Sequence, residues 1–136
     1  MKDIAINYFK NGYSCSEAII KAGVDKGLVN DALLPLATPF SGGMSSGCLC
    51  GAVAGAQLII GAIFGRVTVD ESPKMAKQYA AEIVSEFKAR NKYTCCKALT
   101  AGLEMSSPER KLHCCKMVAD AADIIEDICI RQKNIV

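Results

Sequence analysis

The sequence predicts an all-α fold: residues 1–136 as a single cysteine-rich domain, a helical bundle of about five to six helices around a central Gly/Ala-rich helix. Three observations predict it. Apolar residues recur every three to four positions through most of the chain, and no strict apolar/polar alternation runs long enough to make a strand. Helix-start signals (Ser14 with Glu17, Ser72-Pro73 and Ser107-Pro108) precede the apolar runs. A length of 136 residues with 51% apolar composition is enough for one domain with one sizeable core.

The first helix is expected from about Asp3 to Lys10, stopped by Asn11-Gly12. Ser14 caps the second, with Glu17 completing a capping box and Cys15, Ala18, Ile19 and Ala22 on one side. Residues 31–37 form a short helix that Pro39 breaks, and Ser41-Gly42-Gly43-Met44-Ser45-Ser46-Gly47 makes a tight loop. The next helix, expected over 48–64, is apolar around nearly its whole circumference and is therefore the central one. No residue from Pro39 to Gly65 is charged, and Gly47, Gly51 and Gly55 recur every fourth position, a pattern a membrane helix also shows. The Gly/Ser loop and Gln57 leave an apolar stretch that barely reaches the ~18 residues a span requires, so a buried helix in a domain without membrane insertion is expected. Its small residues let a neighbouring backbone come close.

Ser72-Pro73 opens a helix to about Arg90, with Met75, Tyr79, Ile83 and Phe87 as its packing stripe. After a turn near Asn91, Cys95-Cys96-Lys97-Ala98-Leu99 makes one or two helical turns ending near Gly102. Ser107-Pro108 starts the last helix, expected to run to about Arg131. On it Cys114, Cys115, Val118, Ala121, Ala122, Ile125 and Cys129 share one arc, and Lys116, Asp120, Asp123 and Asp127 lie opposite.

A formal charge of +2 is spread along the chain without a basic patch, and the aromatic residues do not interleave with basic ones, so no nucleic-acid partner is expected. The N-terminus shows no secretory signal, and a reducing, cytoplasmic setting is expected. In that setting eight cysteines call for an explanation. No two of them have the two-residue gap of zinc knuckles or thioredoxin-like sites, so a site built from them must be assembled by folding. A single free cysteine behaves as a small hydrophobe, which is the reading for Cys48, Cys95 and Cys129. Eight together point to at least one thiolate cluster with metal or redox chemistry. His113, the one histidine, falls off the apolar arc and is expected to face solvent. Without a second histidine, a Ser-His-Asp set or a buried carboxylate pair, hydrolytic and general acid-base mechanisms have no support.

The runs Gly12-Tyr13-Ser14-Cys15-Ser16-Glu17-Ala18, Gly42-Gly43-Met44 leading to Cys50-Gly51-Ala52-Val53-Ala54-Gly55, Cys96-Lys97-Ala98-Leu99, and Cys114 with Val118 and Ala121-Ala122 resemble the C_GCAxxG_C_C family of redox-active proteins over nearly the whole chain. The family label writes glycine before cysteine, whereas this chain reads Cys50-Gly51-Ala52; the adjacent Gly47-Cys48 is the other possible match. The resemblance implies a small helical protein whose family cysteines are Cys15, Cys50, Cys96 and Cys114, with Cys95 and Cys115 as extras particular to this chain. Some relatives are associated with an iron–sulfur centre, so the resemblance implies that these four cysteines hold such a cluster, 2Fe–2S favoured over 4Fe–4S, in electron transfer or redox sensing. A homodimer and an electron-transfer partner protein of unknown identity are implied with it.

Residue chemistry agrees, since iron–sulfur clusters are held by four cysteine thiolates. Helix starts at Cys15, Cys50 and Cys96 would supply amide donors and a dipole that favours thiolate. Three alternatives remain at this stage. One is a thiol/disulfide redox protein without a metal, which the absence of a Cys-x-x-Cys pair disfavours. The others are a zinc or other metal-binding module and a helical interaction domain with inert cysteines. Enzymatic turnover is left open, because a redox protein of this kind need not turn over a classical substrate.

Overall fold

The computed structural model describes residues 1–135. Among them are seven helices: α1 (Lys2–Lys10), α2 (Cys15–Asp25), α3 (Leu34–Ala37), α4 (Gly51–Phe64), α5 (Lys74–Asn91), α6 (Cys96–Leu99) and α7 (Pro108–Ile135). Two of these, α3 and α6, are single turns of four residues, so the bundle rests on five longer helices. The expected all-α class holds, and among the described residues no helix is long and apolar enough to cross a membrane.

Local chemistry explains where the helices begin. Ser14 Oγ accepts the Glu17 N–H at 3.4 Å while the Glu17 carboxylate accepts the Ser14 N–H at 3.0 Å, the capping box expected for α2 and worth about 1 kcal/mol. Ser72 and Ser107 accept the N–H groups of Lys74 and Arg110, at 3.2 and 3.1 Å, and so start α5 and α7. The one clear departure is α4, which begins at Gly51 rather than near Cys48. Cys48, Leu49 and Cys50 lie outside the helix instead, for a reason that belongs to the site.

α4 packs against α2, α5 and α7 and is central, as its composition predicts. Residues 51–60 are buried or half-buried, but Gly61, Ala62 and Ile63 are exposed, so only its first part forms the middle of the bundle. Its one polar residue, Gln57, donates Nε2–H to Ala80 O of α5 at 2.9 Å, which satisfies the amide inside an apolar interface. Ile19, Ile59, Ile83, Phe87, Val118 and Ile125 are fully buried members of one core. Each contributes roughly 1.5–3 kcal/mol of burial. Tyr79, Ile83 and Phe87 line the inner face of α5 as expected, whereas Met75 is 43% exposed. Met75 lies in the first turn of α5, at the end of the helix where little covers it.

Ser16 is the one buried polar side chain of the core, and its Oγ–H donates to Ala37 O at 2.7 Å, tying α2 to the end of α3. Ser16→Ala removes the donor in a water-free place and is expected to lower stability by about 1–2 kcal/mol, read as a lower urea midpoint with unchanged slope.

Candidate functional site

Two backbone hydrogen bonds build the site. Cys50 N–H donates to Thr94 O at 2.7 Å and Cys96 N–H donates to Cys48 O at 2.5 Å, which pairs Leu49 with Cys95 in an isolated antiparallel bridge. Each strand of the bridge runs directly into a helix: Cys50 is the N-cap residue of α4 and Cys96 the first residue of α6. The bridge thus draws together two thiols that are remote in sequence.

Close packing adds the third. A Cβ at Gly51 would collide with Cys15 Sγ and lie 3.0 Å from Phe40 O, so the absence of a side chain there lets the start of α2 press against the start of α4. One turn on, a Cβ at Gly55 would sit 2.9 Å from both Ile19 Cβ and Ser16 O. The fourth thiol, Cys114, comes from α7, one turn after Arg110. Cys15, Cys50, Cys96 and Cys114 all line a single cavity of about 280 Å³, together with Phe9, Leu99, Met117, Ser14, Ser41, Arg110 and Lys111. Cys50 and Cys96 are buried, at 6% and 8% exposure; Cys15 and Cys114 are half-buried. At the rim the Lys111 ammonium stands 3.7 Å from the centre of the Phe9 ring, a cation–π contact between α7 and α1.

The Ser41–Gly47 loop closes the other side. Gly42, Gly43, Met44 and Ser45 follow one another with φ of 63°, 66°, 60° and 57°, a left-handed turn in which two residues carry side chains. That conformation costs about 1–2 kcal/mol per non-glycine residue. Cys48 N–H to Gly43 O at 2.8 Å and Ser45 Oγ–H to Pro39 O at 3.3 Å hold it in place. A Cβ on Gly43 would lie 2.5 Å from Cys96 Cβ, so the loop is pressed onto the thiol-bearing turn.

Burial dominates the thiol chemistry. It pushes Cys50 up to about 12, with the neighbouring Cys15 and Cys96 adding to the shift and the Val53 and Ala52 amides opposing it. Cys15 is raised for the same first reason, opposed by the Gly42 and Ser16 amides and raised further by Cys96. Burial also raises Cys114, as does Cys15, while Arg110 acts against them. Helix-start amides do face Cys15 and Cys50, as the sequence suggests, but desolvation outweighs them and these thiols stay protonated at neutral pH unless a cation joins them. Arg110 is the positive charge at hand. Its Nη2–H points at Cys96 Sγ at 3.6 Å and its Nη1–H donates to Met105 O at 3.3 Å, and among the described residues no carboxylate pairs with it. No three His, Cys, Asp or Glu donors among the described residues gather closely enough to hold a single metal ion. The four thiols surround a space rather than a point.

The other cysteines divide into two kinds. Cys129 is core filler, as expected, and Cys115 is buried in the same core. Cys48 and Cys95, read from the sequence as filler too, are exposed at the bridge that joins their two segments. His113 does not face solvent: it is half-buried, with Nε2 2.7 Å from Leu99 O, and this contact anchors α7 to the end of α6. It does not line the cavity. Arg110 went unnoticed in the sequence, although its spacing of four from Cys114 was the available signal.

The family model described as "Putative redox-active protein (C_GCAxxG_C_C)" matches residues 13–128. The chain belongs to this family. The match contains all four cavity cysteines and stops one residue short of Cys129, the cysteine buried farthest along α7. No curated protein and no solved structure matches the chain. As a C_GCAxxG_C_C protein it is a redox-active protein by its family description, and the cavity is where its thiols converge.

Gly51→Ala is expected to lower stability by about 1–3 kcal/mol, because its new methyl group must displace Cys15 Sγ and the Phe40 backbone. Gly61→Ala, in the same helix but with open space where the Cβ would go, should raise it by about 0.5–1 kcal/mol. Thermal or urea unfolding of the two variants side by side separates close approach from helix propensity.

Proposed function

We propose that this C_GCAxxG_C_C protein binds an iron–sulfur cluster through Cys15, Cys50, Cys96 and Cys114 and acts in electron transfer or redox sensing, with 2Fe–2S favoured over 4Fe–4S on the resemblance. The observation that carries the reading is that one thiol from each of four separate segments lines one cavity of about 280 Å³. The donor set fits the group. Four cysteines are the complete ligand set of such a cluster, and the cavity lining contains no aspartate, glutamate or histidine to compete with them.

When bound, the cluster would supply one-electron redox chemistry. The chain's own residues do the rest. Phe9, Leu99 and Met117 exclude water from the thiols, the Gly42, Ala52 and Val53 amides present donors to sulfur, and Arg110 sets a positive charge beside Cys96 and Cys114. Hydrogen bonds to ligand sulfur and nearby positive charge favour the more negative, reduced state. A structural zinc site would need four sulfurs at ~2.3 Å from one point, and the dispersed donors fit that less well. A dithiol mechanism needs a thiolate, and the burial that raises Cys15, Cys50 and Cys114 works against one. The same reading takes the protein to be a cytoplasmic homodimer that exchanges electrons with a partner protein, and a monomer mass by light scattering would remove the homodimer from it.

Purified without oxygen, the protein is expected to be coloured and to contain iron with matching acid-labile sulfide. Cys15→Ala, Cys50→Ala, Cys96→Ala and Cys114→Ala should each lose the visible absorbance, while Cys129→Ala keeps it. Colourless protein carrying zinc, or metal-free protein with a reducible disulfide among these four cysteines, would overturn the reading. Arg110→Gln is expected to retain iron and sulfide but lower the midpoint potential in a spectroscopic redox titration.

A further inference from the structure

The strand pair that positions Cys50 and Cys96 carries two more thiols, and the cavity uses neither. Cys48 and Cys95 are the exposed cysteines of the chain; the other six are buried or half-buried. They lie on opposite strands of the Leu49–Cys95 bridge: Cys95 is paired directly with Leu49, and Cys48 is the residue before Leu49, diagonal to Cys95. With ladder spacing, their Cα atoms fall about 6 Å apart, inside the range a disulfide spans.

Two further observations bear on where the sulfurs lie, beside the Cys48 Sγ–H that points to Ser46 O at 4.0 Å. Cys95 Sγ–H donates to Gly47 O at 3.3 Å, so this thiol reaches across to the peptide group that joins Gly47 to Cys48. Cys48 itself has φ of −88° and ψ of −123°, outside regular strand geometry, so the strict alternation that would turn its side chain to the opposite face does not apply. Lys97, whose stem lies against Gly47, adds a positive charge beside the pair that attracts an anionic reagent.

We propose that Cys48 and Cys95 form a second, solvent-facing redox site, a dithiol that a small anionic disulfide of the glutathione class oxidises to an intramolecular Cys48–Cys95 disulfide. One thiolate attacks the reagent's S–S bond and expels one reduced thiol. The second thiolate then attacks the resulting mixed disulfide and expels the other, so two protein thiols are oxidised as one disulfide is reduced to two thiols. The product is a covalent staple across the bridge that sets the spacing of Cys50 and Cys96, which links solvent redox state to the shape of the cavity whatever the cavity holds.

The full chain, incubated with oxidised glutathione, blocked with N-ethylmaleimide and digested with trypsin, provides the test. The expected product is a cross-link between peptides 27–66 and 93–97, accompanied by loss of the two fastest-labelling thiols. Those peptides also contain Cys50 and Cys96, so the assignment rests on variants: Cys48→Ser and Cys95→Ser must each abolish the cross-link while keeping the far-UV circular dichroism of the parent. A cross-link that survives Cys95→Ser would belong to Cys96 and overturn the proposal. So would recovery of Cys48 and Cys95 only as separate glutathione adducts or as bonds between two chains. Because both residues are exposed, serine at either position disturbs no core contact, and an unfolded variant would itself contradict the placement described here.

Discussion

The pairing of the Cys48–Cys50 segment with the Thr94–Cys96 segment is the constraint on which the site depends. It consists of two main-chain hydrogen bonds, yet both helices that present a buried cavity thiol start from it. Side chains contribute nothing to those bonds, so they tolerate sequence change on the strands. What they require is that the flanking helices leave in directions that let the strands meet. The long α5 between the two segments provides this: it packs along α4 and returns the chain to the end of the bundle where α4 began.

Two demands on the cavity oppose one another. Close packing at Gly51 and Gly55 brings α2 and α4 together and excludes water, which favours a specific arrangement of sulfurs. The same exclusion raises the thiols of Cys15, Cys50 and Cys114, so an empty, desolvated cavity prefers them uncharged. Arg110, which has no carboxylate partner among the described residues, sets an uncompensated positive charge at the cavity. A half-buried guanidinium facing neutral thiols is poorly compensated; facing thiolates it is not.

Much of this was legible in the letters. Side-chain capping is a local matter, so Ser14 with Glu17, Ser72-Pro73 and Ser107-Pro108 located three helix starts closely. Helical periodicity placed Tyr79, Ile83 and Phe87 inside, and Cys15, Cys50, Cys96 and Cys114, singled out on the resemblance, all line one cavity. The errors lie where tertiary contacts override local preference. Cys48, Leu49 and Cys50 continue an apolar helical pattern, and only a partner distant in sequence takes them out of the helix. At that pairing Cys48 and Cys95 are exposed, which no property of cysteine itself could reveal. A helical wheel put His113 in solvent because it describes a helix without neighbours, whereas α6 lies against that side of α7 and offers the Leu99 carbonyl. Met75 failed for the converse reason, since an apolar residue in the first turn of a helix has a core beneath it only if the bundle extends that far.

Because Cys114 sits on the final helix, the cavity's last wall is also the last to leave the ribosome among the four. A nascent chain extended only through Leu99 already carries the thiols of α2, α4 and α6, but nothing yet covers them. The cavity is therefore walled by all four segments only after α7 has docked.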